Sequence, residues 1–195
     1  MTLLETDGET LFAALVSVLA AKGIVSAGEI AAQRAVTDAA SPAQGARMVA
    51  RAWVDPDYRA LMVADGSQAA EALGIPMRGM PPLGVLEDTA DVHHLVVCTL
   101  CSCYPRAVLG YPPFWYKSAA YRARAVRDPR GLLAEFGTVL PDGVKLRVVD
   151  STADYRWMVL PRRPAATEGW SETQLAAIVT AGDMIGVKRP AVPPG

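Results

Sequence analysis

The sequence predicts an α+β protein in which a helical N-terminal arm, residues 1–75, precedes a mixed domain, residues 76–195. Three observations carry this. Apolar residues near the start recur at helical spacing in an alanine-rich background. A proline- and glycine-rich stretch, PMRGMPPLG at 76–84, then breaks the pattern. Beyond it, LVVC, VKLRVVD and YRWMVL are runs of β-branched and large apolar residues that read as strands, with helical segments between them.

In chain order, Leu11, Phe12, Leu15, Val18 and Leu19 share one helical face, and Gly23 follows as a stop. Ser26 with Glu29 matches a capping box and opens a second helix through about Ala35. Ser41-Pro42 starts a third, with a capping hydroxyl followed by a proline whose missing N–H is harmless at that position. Asp55-Pro56 repeats the signal for a fourth helix ending near Gly74. In the second half, strands are expected at 95–98, 144–150 and 155–160. Helices are expected over SAAYRARAVR, after Asp128-Pro129 and over SETQLAAIV, while the tail PAVPPG reads as extended or mobile.

Hydrophobic residues make up 51% of the 195, and charged residues 20%, so the chain can build a sizeable core. A net charge of −1 offers no basis for nucleic-acid or anionic-membrane binding. The acidic start, MTLLETDGET, lacks the basic region of a secretory signal. The longest apolar run, LFAALVSVLAA, is too short to span a bilayer. A cytoplasmic protein with reduced thiols is therefore expected.

Those thiols are concentrated in one place. Cys98, Cys101 and Cys103 are the only cysteines, all within VVCTLCSCYP. A redox dithiol needs no third thiol two residues on. Structural zinc wants four ligands, usually as two separated pairs, and an iron–sulfur cluster wants a fourth cysteine. His93 and His94 point to opposite faces if they lie on a strand, so at most one could join a metal; both read better as partners in strand or interface hydrogen bonds. Buried inert thiols would not be interleaved with polar Thr99 and Ser102. A tight loop can instead turn all the sulfurs toward one ion, with the backbone nitrogens of Cys101-Ser102-Cys103 nearby. Soft sulfur donors select a transition metal, and an open coordination position would let it act as a Lewis acid.

VCTLCSCYP resembles the metal-binding motif of the nitrile hydratase α subunit. The resemblance extends through LEDTADVHHLVVCTLCSCYPRAVLGYPPFWYKSAAYRARAVRDPRGLLAEFG, through VLPRRPAATEGWSETQLAAIV and MIGV, and back to ARAWVDPDYRALMVADG. It implies a helical arm that wraps a β-type subunit and a layered α-β-β-α domain. It also implies a site in which Cys98, Cys101 and Cys103 supply sulfur and the backbone nitrogens of Ser102 and Cys103 complete the donor set. It makes Cys101 a sulfinic acid and Cys103 a sulfenic acid, and puts the Ser102 hydroxyl beside the metal. Thr99 matches the cobalt-type pattern, which implies Co(III) and a maturation protein to deliver it. The implied reaction is hydration of a nitrile to an amide. Attack by an activated water and attack by the Cys103 sulfenate oxygen both stay open.

Three departures bear on substrate and core. Arg106 stands where the family commonly has a pocket-lining tryptophan, which suits a polar or anionic substrate and is similar to the cobalt subunit of thiocyanate hydrolase. GMPPLG replaces a stretch that often holds a pocket glutamine, and Asp154 replaces a usual glutamate. Lys117, Arg122 and Arg127 match family positions and read as interface or scaffold, and Trp115 and Tyr116 as core or interface aromatics. Two further classes remain: a non-catalytic metal-carrier subunit and a thiol redox protein.

Overall fold

The computed structural model describes residues 7–101 and 103–192. They fall into two compact units, one ending at Ala39 and the other beginning at Ala40. The first holds α1 (Gly8–Ala21) and α2 (Ala27–Ala39). Asp7 caps α1, and Ser26 and Glu29 form the expected reciprocal box at the start of α2. Neither helix buries a residue. Of the stripe read from the sequence, Leu11, Phe12, Leu15 and Val18 are more than half exposed and Leu19 is partly buried.

The second unit opens with α3 (Pro42–Val54), α4 (Pro56–Ala64) and α5 (Gly66–Ala72). These helices pack into the core: Met48, Val49, Met62 and Ala69 are fully buried. The change of residue character at 76–84 therefore lies inside this unit, and the break between units comes earlier, at Ala39/Ala40. Ser41 makes no side-chain cap, so Pro42 alone marks that start. Asp55 does cap, its Oδ1 accepting from the amides of Asp57 and Tyr58 at 3.1 and 3.0 Å. The single helix expected after it is two, because Asp65 is extended and caps a new start at Gly66, its Oδ1 accepting from the Gln68 amide at 2.9 Å. Gly66 permits this turn to press on the sheet, since a Cβ there would lie 2.6 Å from the Leu83 carbonyl oxygen.

The strands are β1 (Leu83–Glu87), β2 (Val92–Val97), β3 (Lys145–Asp150) and β4 (Arg156–Leu160). Between β2 and β3 lie α6 (Arg106–Leu109), α7 (Phe114–Lys117), α8 (Ala119–Arg127) and α9 (Pro129–Glu135). After β4 come α10 (Glu172–Ala177) and α11 (Ala181–Ile185). Strand β1 pairs in parallel with β4, and β2 in parallel with β3. The two-stranded sheets meet through β2 and β4, α4 and α5 cover β1, and α8 and α9 cover β2 and β3. This is the layered α-β-β-α arrangement. Strand β1 escaped the sequence reading because LGVLE is short, contains glycine and follows a proline run.

Helix α11 ends at Gly186, whose φ of +85° is left-handed. Its Cα lies against β2: a Cβ there would sit 1.9 Å from the His94 carbonyl oxygen. Gly186→Ala is expected to destabilise the fold by at least about 2 kcal/mol, since left-handed strain alone is about 1–2 kcal/mol and the β2 backbone must also move. A urea midpoint that falls at constant slope would show this; an unchanged midpoint would contradict it.

Candidate metal centre

Strand β2 ends at Val97, and the chain turns directly into the cysteine loop. The sulfur atoms of Cys98, Cys101 and Cys103 lie within 4.8 Å of one another, and among the described residues this is the cluster that could hold a metal ion. Cys98 Sγ is 3.5 Å from Cys101 Sγ, which is 3.2 Å from Cys103 Sγ. None is in a disulfide. Cys98 and Cys103 are buried and Cys101 is exposed. The Cys101 amide donates to Cys98 Sγ at 3.2 Å. Ser102 lies outside the described residues, so the expectation for its hydroxyl and amide has no counterpart in the structure.

Three elements hold the loop from outside. Asp150, the last residue of β3, accepts from the Thr99 amide through Oδ1 at 3.0 Å and from the Thr99 hydroxyl through Oδ2. Arg122 on α8 donates to the Leu100 carbonyl at 2.9 Å. Tyr116 on α7 donates its phenol to the Cys103 carbonyl at 2.8 Å, and its ring is fully buried. Tyr121 donates to the Val96 carbonyl at 2.6 Å, fixing the strand just before the loop. Arg122 thus contacts the loop backbone, and Tyr116 is a core aromatic.

Burial, followed by the neighbouring thiols of Cys101 and Cys98, pushes the Cys103 thiol up to about 12, while the Arg156 guanidinium pulls it back. Burial disfavours thiolate at Cys103 by itself, and sulfur donors gathered this closely fit a transition-metal cation, whose charge reverses that preference.

Arg106 begins α6 beside this loop. It lines a pocket of about 210 Å³ together with Met77, Met80, Leu83, Tyr104 and Arg156. Its guanidinium carbon lies 4.3 Å over the Tyr111 ring. Tyr104 Oη and Arg156 Nη1 are buried and have no hydrogen-bond partner among the described residues. Neither Arg106 nor Arg156 has a carboxylate partner among them. The sequence reading missed Asp150, Tyr104 and Arg156 as site residues. The available signals were a carboxylate closing the strand VKLRVVD and an arginine inside the apolar strand YRWMVL.

His93 and His94 are not part of the sulfur cluster. Both are buried, and both reach Asp88 through Nδ1, at 2.7 and 3.0 Å. The His94 amide adds a third bond to Asp88 at 2.8 Å. His93 Nε2 lies 2.8 Å from the Gly186 carbonyl oxygen. Both ring nitrogens of His93 therefore face oxygen atoms, one of Asp88 and one of Gly186.

The family described as nitrile hydratase, alpha chain, matches residues 6–188. The chain is 48% identical over 181 residues to the low-molecular weight cobalt-containing nitrile hydratase subunit alpha of Rhodococcus rhodochrous, covering 92% of this chain and 87% of that one. A solved structure of recombinant thiocyanate hydrolase comprising partially modified cobalt centres superposes with a TM-score of 0.84 at 43% identity, over 95% of this chain and 91% of that one. A double mutant of the Fe-type nitrile hydratase from Comamonas testosteroni Ni1 superposes with a TM-score of 0.81 at 39% identity, over 96% and 94%.

Proposed function

The chain belongs to the nitrile hydratase alpha chain family, and from that premise we propose that it is the metal-holding subunit of a cobalt-type enzyme that hydrates a polar nitrile to its amide. The observation that carries this is the convergence of Cys98, Cys101 and Cys103 within 4.8 Å on a Cys-Thr-Leu-Cys-Ser-Cys loop. The cysteines, with the backbone nitrogens of Ser102 and Cys103, would hold Co(III). When bound, the ion supplies Lewis-acid activation of the nitrile or of water.

The chain's own residues do the rest. Cys101 is the site of sulfinic and Cys103 of sulfenic oxidation, and the exposure of Cys101 against the burial of Cys103 supports deeper oxidation at the former. The Cys103 sulfenate oxygen, together with the Ser102 hydroxyl, would accept or pass a proton during hydration. The exposed stripe of α1 supports a β-type subunit as partner, since a helix bearing such a face needs something to cover it. A maturation protein delivers the cobalt. No helix among the described residues is long and apolar enough to cross a membrane.

Arg106 sets the substrate. A guanidinium at the pocket wall can hydrogen-bond a polar group or pair with an anion, and an apolar nitrile leaves it unpaired. The same arginine, joined by Arg156 in that pocket, favours a second reading as the cobalt subunit of a thiocyanate hydrolase. A panel of aliphatic, aromatic and heterocyclic nitriles against thiocyanate, run on the assembled complex, tests both. Amide formation supports hydration of a nitrile; consumption of thiocyanate alone overturns it. In the same assay Arg106→Trp is expected to raise kcat/KM for simple apolar nitriles. It should lower kcat/KM for polar nitriles or thiocyanate by about tenfold or more, the scale of one charge-assisted hydrogen bond. An unchanged ratio between the classes would place Arg106 outside recognition.

A further inference from the structure

We propose that Asp150 is a positioning residue that holds the cysteine loop in its converged geometry before any metal arrives. The inference rests on the reading of the loop as the metal site. Among the described residues from Cys98 to Cys103 no backbone–backbone hydrogen bond defines the course of the segment, and fixing each such residue costs about 1–2 kcal/mol of conformational entropy. Something outside the loop has to set its course. Register does this at the start: Val97 pairs with Asp150 across the parallel strands, so Asp150 sits where β2 gives way to the loop. The Ser151 amide donates to the Val97 carbonyl at 2.7 Å and locks that junction.

From this place the Asp150 carboxylate takes both donors of one residue. Oδ1 accepts from the Thr99 amide at 3.0 Å, and Oδ2 accepts from the Thr99 hydroxyl. A carboxylate engaged by two donors on one residue fixes orientation as well as position, and both bonds are charge-assisted. Thr99 is the residue after Cys98 and two before Cys101, so its rotation decides whether those sulfurs face each other. The threonine hydroxyl thereby has a mechanical use: it is the second prong of the grip. Arg122 and Tyr116 hold the carbonyls of Leu100 and Cys103. Asp150 is the anchor at the strand end, where the backbone direction is set.

The test uses the full chain, metal-free and in the assembled cobalt-loaded complex. Asp150→Ala should raise amide hydrogen exchange at Thr99 and Cys101 in the metal-free chain by about tenfold or more, the scale of a lost charge-assisted bond. It should speed iodoacetamide capture of the buried Cys98 and Cys103 thiols. In the loaded complex it should hasten cobalt loss to a chelator and shift the sulfur-to-cobalt charge-transfer band. Thr99→Val, which keeps shape and removes the hydroxyl, should show part of the effect, and Thr99→Ser should restore parent behaviour. In the Asp150→Ala background, Thr99→Val should add nothing. Parent-like exchange and parent-like capture in Asp150→Ala would overturn the proposal, as would additive effects of the two substitutions. Should Asp150→Ala not fold, the contrast between Thr99→Val and Thr99→Ser decides alone, and equal exchange in those two overturns it. A parent that takes up no cobalt yet shows faster exchange in Asp150→Ala would leave the grip standing and remove the metal-site reading.

Discussion

Serine at Cys98, Cys101 or Cys103 abolishes cobalt retention in the assembled complex, and turnover falls with it. The oxygen of serine keeps its proton at neutral pH and is a hard, weak donor, so each substitution removes a charge and a soft ligand together. Partners one bond further from a metal already cost about 10–100-fold in affinity when removed, so loss of a direct sulfur ligand should exceed about 100-fold. The cobalt-to-chain ratio by elemental analysis is the measurement, taken beside thermal unfolding to separate metal loss from misfolding. Exposed Cys101 is the most informative of the group, because its replacement leaves the core untouched. A single-serine variant that kept full cobalt and full turnover would remove that sulfur from the ligand set.

Asp88→Asn should be the most damaging substitution away from the loop. The carboxylate is buried and accepts from His93, the His94 ring and the His94 amide. Asparagine removes the charge that faces the His93 ring and offers only one acceptor oxygen. Breaking a buried ion pair from one side costs about 3–5 kcal/mol, and at about 2–4 °C per kcal/mol for a chain of this size the melting temperature should fall by about 10 °C. The effect carries a pH signature. Burial alone would raise the Asp88 carboxyl, but its bonds to His93 and His94 and the attraction of His93 outweigh burial and hold it below the ordinary 3.8. Its contribution is therefore present above pH 3.8 and lost as pH falls through the lower folded value. The gap between parent and Asp88→Asn should narrow in that acid window. A gap that stayed constant on acidification would assign the loss to shape rather than charge.

The parts of the structure legible in the sequence are those governed by local chemistry. Caps at Asp55, Asp128 and Ser171 act within three residues and appear where their letters predict. Three strands announce themselves through β-branched runs. The sulfur cluster was legible for the same reason, since its spacing forces proximity. Pairings between distant segments were not. Nothing near Val97 announces Asp150, and nothing in DVHHLVV shows that both histidines converge on one upstream carboxylate. The sequence reading placed adjacent strand residues on opposite faces, and the imidazoles nonetheless meet at Asp88, because it lies just past the end of β1, close to both. Arg106 was visible as a departure from a family pattern, yet its neighbours Tyr104 and Arg156 became visible only once β4 was placed.

The parallel pairing of β2 with β3 and β1 with β4 has a consequence for the timing of synthesis. Each ladder joins segments far apart in the chain, so each closes slowly and only after its second strand exists. On the ribosome, Cys103 emerges well before Asp150 and Arg156, by seconds at roughly 5–20 residues per second. During that interval the thiols are exposed on an unbraced segment, open to stray metals and oxidants. A protein of this topology is best served by loading its metal late, onto the finished domain, and its delivery partner should recognise folded chain and ignore the nascent one.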